Sequence, residues 1–183
     1  MKYKEKNSIV KVLFQGWIAL SKTSFKIIGD SIIDDKKLIH EFINSPIDFL
    51  LANKYVNGID WNHTDKDGIS NKFKVFNFGP YSLNKLSIDD YKEIPFNSFH
   101  QKVFELISDV GEENKSKVEY HHFSTEVEKL LKPLNKKDNF FYILAPSSEK
   151  EAEFHPYSLD YYLCIFSINK IKNILTVIQV DDS

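Results

Sequence analysis

Leu159-Asp160-Tyr161-Tyr162-Leu163-Cys164-Ile165-Phe166-Ser167 is followed, after Asn169-Lys170-Ile171-Lys172-Asn173, by Ile174-Leu175-Thr176-Val177-Ile178-Gln179-Val180. Both runs are rich in aromatic and β-branched side chains, which suit a pleated and largely buried surface. The Asn- and Lys-rich segment between them reads as a hairpin loop. Phe140-Phe141-Tyr142-Ile143-Leu144 has the same character, so the C-terminal part of the chain is expected to be β.

Working back toward the N-terminus, the pattern changes. Val10, Leu13, Phe14, Trp17 and Ile18 recur at helical spacing and predict a core helix from about Ser8 to Ser21. The β-branched run Ile9 to Phe14 supports a competing strand, broken at Gly16. Ser24 to Gly29 reads as a short strand, and Asp34 to Asn44 as a helix with Leu38, Ile39, Phe42 and Ile43 on one face. Ser45, Pro46 and Asp48 form the start of another helix that Gly58 would end.

Asn71 to Phe78 reads as a partly exposed strand stopped by Gly79-Pro80. Ser87 with Asp90 and Ser98 with Gln101 have capping-box spacing; the second would open a helix that Gly111 ends. Glu112 to Lys117 reads as a charged connection, Lys117 to Phe123 as a strand and Thr125 to Lys132 as a helix. The sum is an α+β fold of one domain, residues 1–183, with helices packed on an antiparallel sheet that the C-terminal strands complete. A chain of this length buries about 70% of the surface its unfolded form exposes, enough for a single core.

The 24 basic residues are all lysine, against 26 carboxylates, for a formal charge of −2. Without arginine no site can hold phosphate or carboxylate in a bidentate guanidinium fork. The charge gives no long-range attraction to nucleic acid or anionic lipid. Cys164 has no partner for a disulfide and reads as a small buried hydrophobe. The N-terminal segment lacks a signal-peptide core and no apolar run approaches 18 residues, so a soluble cytoplasmic protein away from membranes is expected.

The six glycines stand singly, without G-x-G-x-x-G or G-x-x-x-x-G-K, and no G-x-S-x-G elbow is present. Asp65-Lys66-Asp67-Gly68 imitates the centre of a calcium loop, but the register puts His63 and Lys74 where carboxylates are required. Glu119, His121 and His122 form the densest acid/base group; on a strand, alternation would send Glu119 and His121 to one face. With His63 or His155 added by the fold, they define an alternative reading as a small hydrolase or metal-dependent enzyme. Phe73, Phe76 and Phe78 among lysines define a third, a single-stranded nucleic-acid-binding module. Carboxylate pairs such as Asp34-Asp35 and Asp89-Asp90 read as solvated helix starts.

Acidic loops flanked by aromatics suit a basic protein partner better. Asp60, Trp61, Asp65 and Asp67 form one such segment, and Glu149, Glu151, Glu153 and Tyr157 another. In size, acidity and want of catalytic motifs the chain resembles the immunity proteins of bacterial toxin systems, such as those that neutralise contact-dependent growth-inhibition toxins. The resemblance is one of general type and transfers no residue. It implies a non-enzymatic binding protein without cofactor, metal or catalytic residues, blocking the active or substrate-binding surface of a cognate toxin such as a nuclease.

Overall fold

A computed structural model describes residues 2–13, 18–29, 34–45, 59–64, 67–114, 117–153 and 162–182. Six antiparallel strands form its main sheet, in the order β1 (Lys2–Leu13), β2 (Ile18–Ile28), β10 (Ile174–Asp182), β9 (Tyr162–Asn169), β8 (Asn139–Leu144) and β7 (Tyr91–Ile94). Two further pairs, β3 (Ile59–Thr64) with β4 (Ser70–Val75) and β5 (Asn77–Phe78) with β6 (Tyr81–Ser82), stand apart from it. The α+β class and the antiparallel sheet agree with the reading of the sequence.

The expected C-terminal hairpin lies near the centre of the sheet. Ile174 pairs with Asn169, and the Asn169 side chain accepts the Lys172 backbone N–H at 2.8 Å, closing the turn. Asn173 takes the left-handed φ of 49° at the last loop position, a conformation asparagine tolerates better than branched residues. The neighbours β2 and β8 fill both sides, so β9 and β10 are interior strands with few solvated backbone groups.

The helix expected over Ser8 to Ser21 is instead the two longest strands. Positions 10, 13, 14, 17 and 18 fit a helical stripe, yet Ile9, Val10 and Val12 are β-branched and pair with Lys22, Ser21 and Ala19 of β2. The same β2 backbone bonds β10 on its other edge, satisfying backbone groups in both directions. β1 is a sheet edge with Lys2, Lys4, Lys6 and Lys11 along it and a register shift between Glu5 and Asn7, features that oppose pairing with a further chain.

Alternation along the strands builds two cores, one on each face. On the first, Phe25, Leu175, Val177, Phe166, Ile168, Tyr142 and Leu144 meet α1 (Asp35–Asn44) through Leu38, Ile39, Phe42 and Ile43. Phe42 is fully buried, with its ring 4.8 Å from that of Phe25. On the second, Leu20, Ile165, Ile178, Val180 and Phe141 meet α2 (Phe96–Asn114) and α3 (Lys117–Leu131) through Phe99, Val103, Val127, Leu130 and Leu131. The Phe99 and Phe141 rings stack at 5.2 Å.

Several boundaries depart from expectation. Asp34 does cap α1, accepting from Lys37 N at 3.0 Å, but Asp35 is no solvated helix start, since it is buried against the sheet. Ser98 lies inside α2, which begins at Phe96 and continues through Gly111 to Asn114; Gln101 bonds Glu105 instead of closing a box. The strand expected over Lys117 to Phe123 is the first part of α3, continuous with the helix expected after it. Fifteen residues without an internal proline or glycine can propagate one helix, and the short apolar run that suggested a strand fits either period. The helix expected after Ser45 lies outside the described residues.

Candidate docking surface

The acidic segment 149–153 is held by a set of contacts that the sequence does not announce. Its only lysine, Lys150, turns inward: Nζ reaches both carboxylate oxygens of Asp90 at 2.8 Å and the Ser87 hydroxyl at 3.1 Å. Ser87 and Asp90 form the capping box expected from their spacing, around a 3-10 turn at Ile88–Asp90. Asp90 is therefore buried and paired, contrary to its reading as a solvated carboxylate. Burial alone would raise its carboxyl. The hydrogen bonds from Lys150 and Ser87, with the Lys150 charge, outweigh that and hold it below the usual range.

Lys85 is committed in the same way. Its ammonium donates to the backbone carbonyls of Glu149 and Glu151, each at 3.1 Å, and not to their carboxylates. Glu151 also bridges Tyr81 by backbone pairing, and Ala152 N donates to Pro80 O at 2.8 Å. The segment is thus pinned at the mouth of the β5–β6 turn. Two lysines are spent on internal acceptors, and Glu149, Glu151, Glu153 and the neighbouring Asp89 are exposed. The Ser147 hydroxyl orients Glu149 Oε1 at 3.0 Å; no lysine or histidine pairs with the Glu149, Glu151 or Glu153 carboxylates among the described residues. The result is a rim of like charge on a fixed backbone.

Tyr81 and Tyr162 form the aromatic floor beside this rim, their rings 6.1 Å apart and at 72°. Burial first, and then the nearby Glu151 and Cys164, push the Tyr81 phenol up from its ordinary value. Gly79 lies directly against the Tyr162 ring, at φ 56°. Tyr162 in turn accepts from Gln179 Nε2 at 2.7 Å and contacts Cys164. Cys164 is fully buried, as expected, though its surroundings are more polar than its apolar run implied; burial raises the thiol well above its ordinary value.

The other residues expected at the surface are distributed less favourably. Asp60 and Trp61 lie in β3, opposite Lys74 and Phe73 of β4, and Asp67 is exposed in the turn between these strands. Six paired residues at ~3.3 Å each put Asp67 roughly 20 Å along the hairpin from its base. Strand β4 runs directly on toward β5, so Asp67 belongs to the end of the hairpin far from β5. Asp65 and Tyr157 lie outside the described residues. The Ser87–Asp90 box was legible from its spacing, whereas the contacts of Lys85 and Lys150 escaped the sequence reading because they span 60 to 66 positions of chain.

The alternative sites are also located. Glu119 and His121 lie on α3, so the strand alternation that paired them does not apply. His100 Nε2 donates to Glu128 Oε1 at 2.7 Å across α2 and α3, and His40 meets the Tyr91 hydroxyl at 3.3 Å. Among the described residues no group of three metal-ligating side chains comes together. His63, His122 and His155 lie outside the described side chains. No helix among the described residues is long and apolar enough to cross a membrane.

No protein-family model matches the chain, and no curated protein is similar to it. Among solved structures, citrus MAF1 aligns with 91% of this chain and 90% of its own, at 11% identity and a TM-score of 0.38. Likeness at that level carries no inference about activity.

Proposed function

We propose that this chain is a non-enzymatic binding protein that docks a basic protein partner on the rim formed by Glu149, Glu151 and Glu153. One observation carries the reading: the only lysine within the rim is turned inward to Asp90, and Lys85 donates to carbonyls, so the three carboxylates make no direct ion pair among the described residues and sit on an anchored segment. A fixed row of like charges is costly in isolation and is relieved by an opposing cationic surface. Pinning the backbone beforehand lowers the ordering cost of association. The specific form of the proposal is an immunity protein, whose basic partner is a toxin domain such as a nuclease with a cationic substrate-binding surface.

The test uses a purified basic toxin nuclease domain, with its cognate candidate taken from a reading frame adjacent to this one. Binding of the intact protein is expected to weaken steeply as salt rises. Glu149→Gln, Glu151→Gln and Glu153→Gln together should cut affinity by about tenfold or more and flatten that salt dependence. Equal binding by wild type and triple variant at every salt concentration removes the rim from the proposal. Asp67→Asn serves as the control, since it removes a carboxylate of another segment, in the turn between β3 and β4.

A further inference from the structure

On the second face of the main sheet, where apolar side chains otherwise meet α2 and α3, three hydroxyls form a row across adjacent strands. Ser24 of β2 pairs with Thr176 of β10, and Thr176 pairs with Ser167 of β9. Two residues away along β2, on the same face, stand Lys22 on one side and Lys26 on the other. The Lys26 row continues through Ile174 to Asn169 and Asn139. This polar island opens into a cleft of about 180 Å³, bordered by Lys136, Lys172 and Pro133.

Its hydrogen-bonding capacity is lopsided. Lys22 Nζ donates to Leu130 O, one of the last carbonyls of α3, at 2.8 Å, and its other two hydrogens have no acceptor among the described residues. Ser24 Oγ and Thr176 Oγ1 are 2.9 Å apart; whichever donates, the hydrogen of the other remains available. The Ser167 hydroxyl, 3% exposed, takes no partner among the described residues. The asparagine oxygens are already occupied, Asn139 Oδ1 by Asn169 Nδ2 at 2.7 Å and Asn169 Oδ1 by Lys172 N. No aspartate or glutamate lines the cleft among the described residues.

We infer that this cleft is a binding site for a phosphate-class oxyanion, either free or as the phosphomonoester of a small molecule, held by Lys22 and the Ser24-Thr176-Ser167 hydroxyl row. A surplus of donors over acceptors in a partly buried place is matched by a ligand that is all acceptor. The cleft holds about six water-sized volumes, room for a tetrahedral anion with a short carbon body. Lysine and hydroxyl groups bind such an anion through separate donors arriving from different directions, a geometry open to a chain without arginine. Burial lowers the Lys22 amine from its ordinary value, and an anion beside it would restore its charged form. The site lies on the face opposite the core that holds Tyr81, so it is independent of the docking rim.

Amide NMR spectra recorded while inorganic phosphate or glycerol 3-phosphate is added, with potassium chloride at matched ionic strength as control, test the site. Saturable shifts are expected at residues 22–24, 167–169 and 176 with the phosphates and not with chloride. The tighter of the two ligands tells a free anion from an ester. Lys22→Met and, separately, Ser167→Ala should weaken binding, the first by about tenfold or more. Ser167→Ala removes only one oxygen and keeps the test valid should Lys22→Met disturb the α3 terminus. Shifts that fail to saturate, that chloride reproduces, or that persist unchanged in both variants overturn the assignment.

Discussion

Tyr142 donates its phenolic hydrogen to Asp35 Oδ2 at 2.8 Å, tying β8 to the first turn of α1 across 107 residues of chain. The bond is buried, and it joins the first turn of α1 to the sheet beside the apolar contacts of Leu38, Ile39, Phe42 and Ile43. Lys170 Nζ approaches the other oxygen, Oδ1, at 3.0 Å; that contact is Coulombic, since Oδ1 receives no well-directed hydrogen bond. Burial first, and then the Asp35 hydrogen bond and charge, push the Tyr142 phenol far above its ordinary value.

Tyr142→Phe leaves the buried Asp35 carboxylate with the half-exposed Lys170 as its remaining partner. A loss of about 1.5–3 kcal/mol is expected in urea unfolding, because the bond is charge-assisted and its acceptor stays buried. Lys170→Met removes a solvent-screened partner and should cost about 1 kcal/mol or less. Equal losses in the two variants would show that the phenol does not position the helix.

The Lys150–Asp90 pair sets an acid dependence. Its carboxyl titrates lower in the folded chain than the unfolded value of about 3.9, so the stabilisation is present above that pH and is lost as pH falls through the folded value. In Lys150→Met the donors and the charge are gone, and burial pushes the carboxyl the other way. The gap in urea midpoint between wild type and variant should be steady from about pH 7 to pH 5 and narrow below about pH 4. A gap that widens with acid would reverse the sign assigned to this pair.

Gly79 and Gly68 both have positive φ, 56° and 78°, but differ in what surrounds them. A Cβ at Gly68 meets nothing within 4 Å, whereas one at Gly79 overlaps the Tyr162 ring. Gly68→Ala should therefore cost about 1–2 kcal/mol, from backbone strain alone. Gly79→Ala adds a clash worth a further ~1–3 kcal/mol and displaces the ring beside the acidic rim. Thermal unfolding of the two variants separates the terms.

Cys164 should be inert to thiol reagents under native conditions, since it is fully buried and burial disfavours the thiolate. Modification with an aromatic disulfide reagent is expected to track global unfolding in urea. Rapid stoichiometric labelling of the native protein would show that β9 is accessible, contrary to its interior place in the sheet.

The sequence carried the local parts of this fold. The α1 residues Leu38, Ile39, Phe42 and Ile43 fall on one helical face, and the runs in β8, β9 and β10 have strand chemistry throughout, so pattern and structure agree there. It misled where two periods fit equally well. Val10, Leu13, Phe14, Trp17 and Ile18 satisfy a helix, whereas the structure pairs β1 with β2 and β2 with β10, the latter more than 150 residues later in the case of Ser24 and Thr176. The opposite exchange occurred at Lys117 to Phe123, where continuity with Thr125 to Leu131 makes one helix.

The candidate sites divide along the same line. Composition by itself determined that every permanent cation is a lysine, that the chain is slightly acidic, and that Glu149, Glu151 and Glu153 cluster in one short segment. The tertiary structure decided which lysines remain available. It turned Lys150 inward to Asp90, tied Lys85 to the backbone carbonyls of the glutamate segment, put Asp67 in the turn of the β3–β4 hairpin, and aligned Ser24, Thr176 and Ser167 beside Lys22. The physical reason is that charge and residue type are properties of positions, whereas whether a donor is satisfied or left over depends on strand register, and register joins residues far apart in the chain.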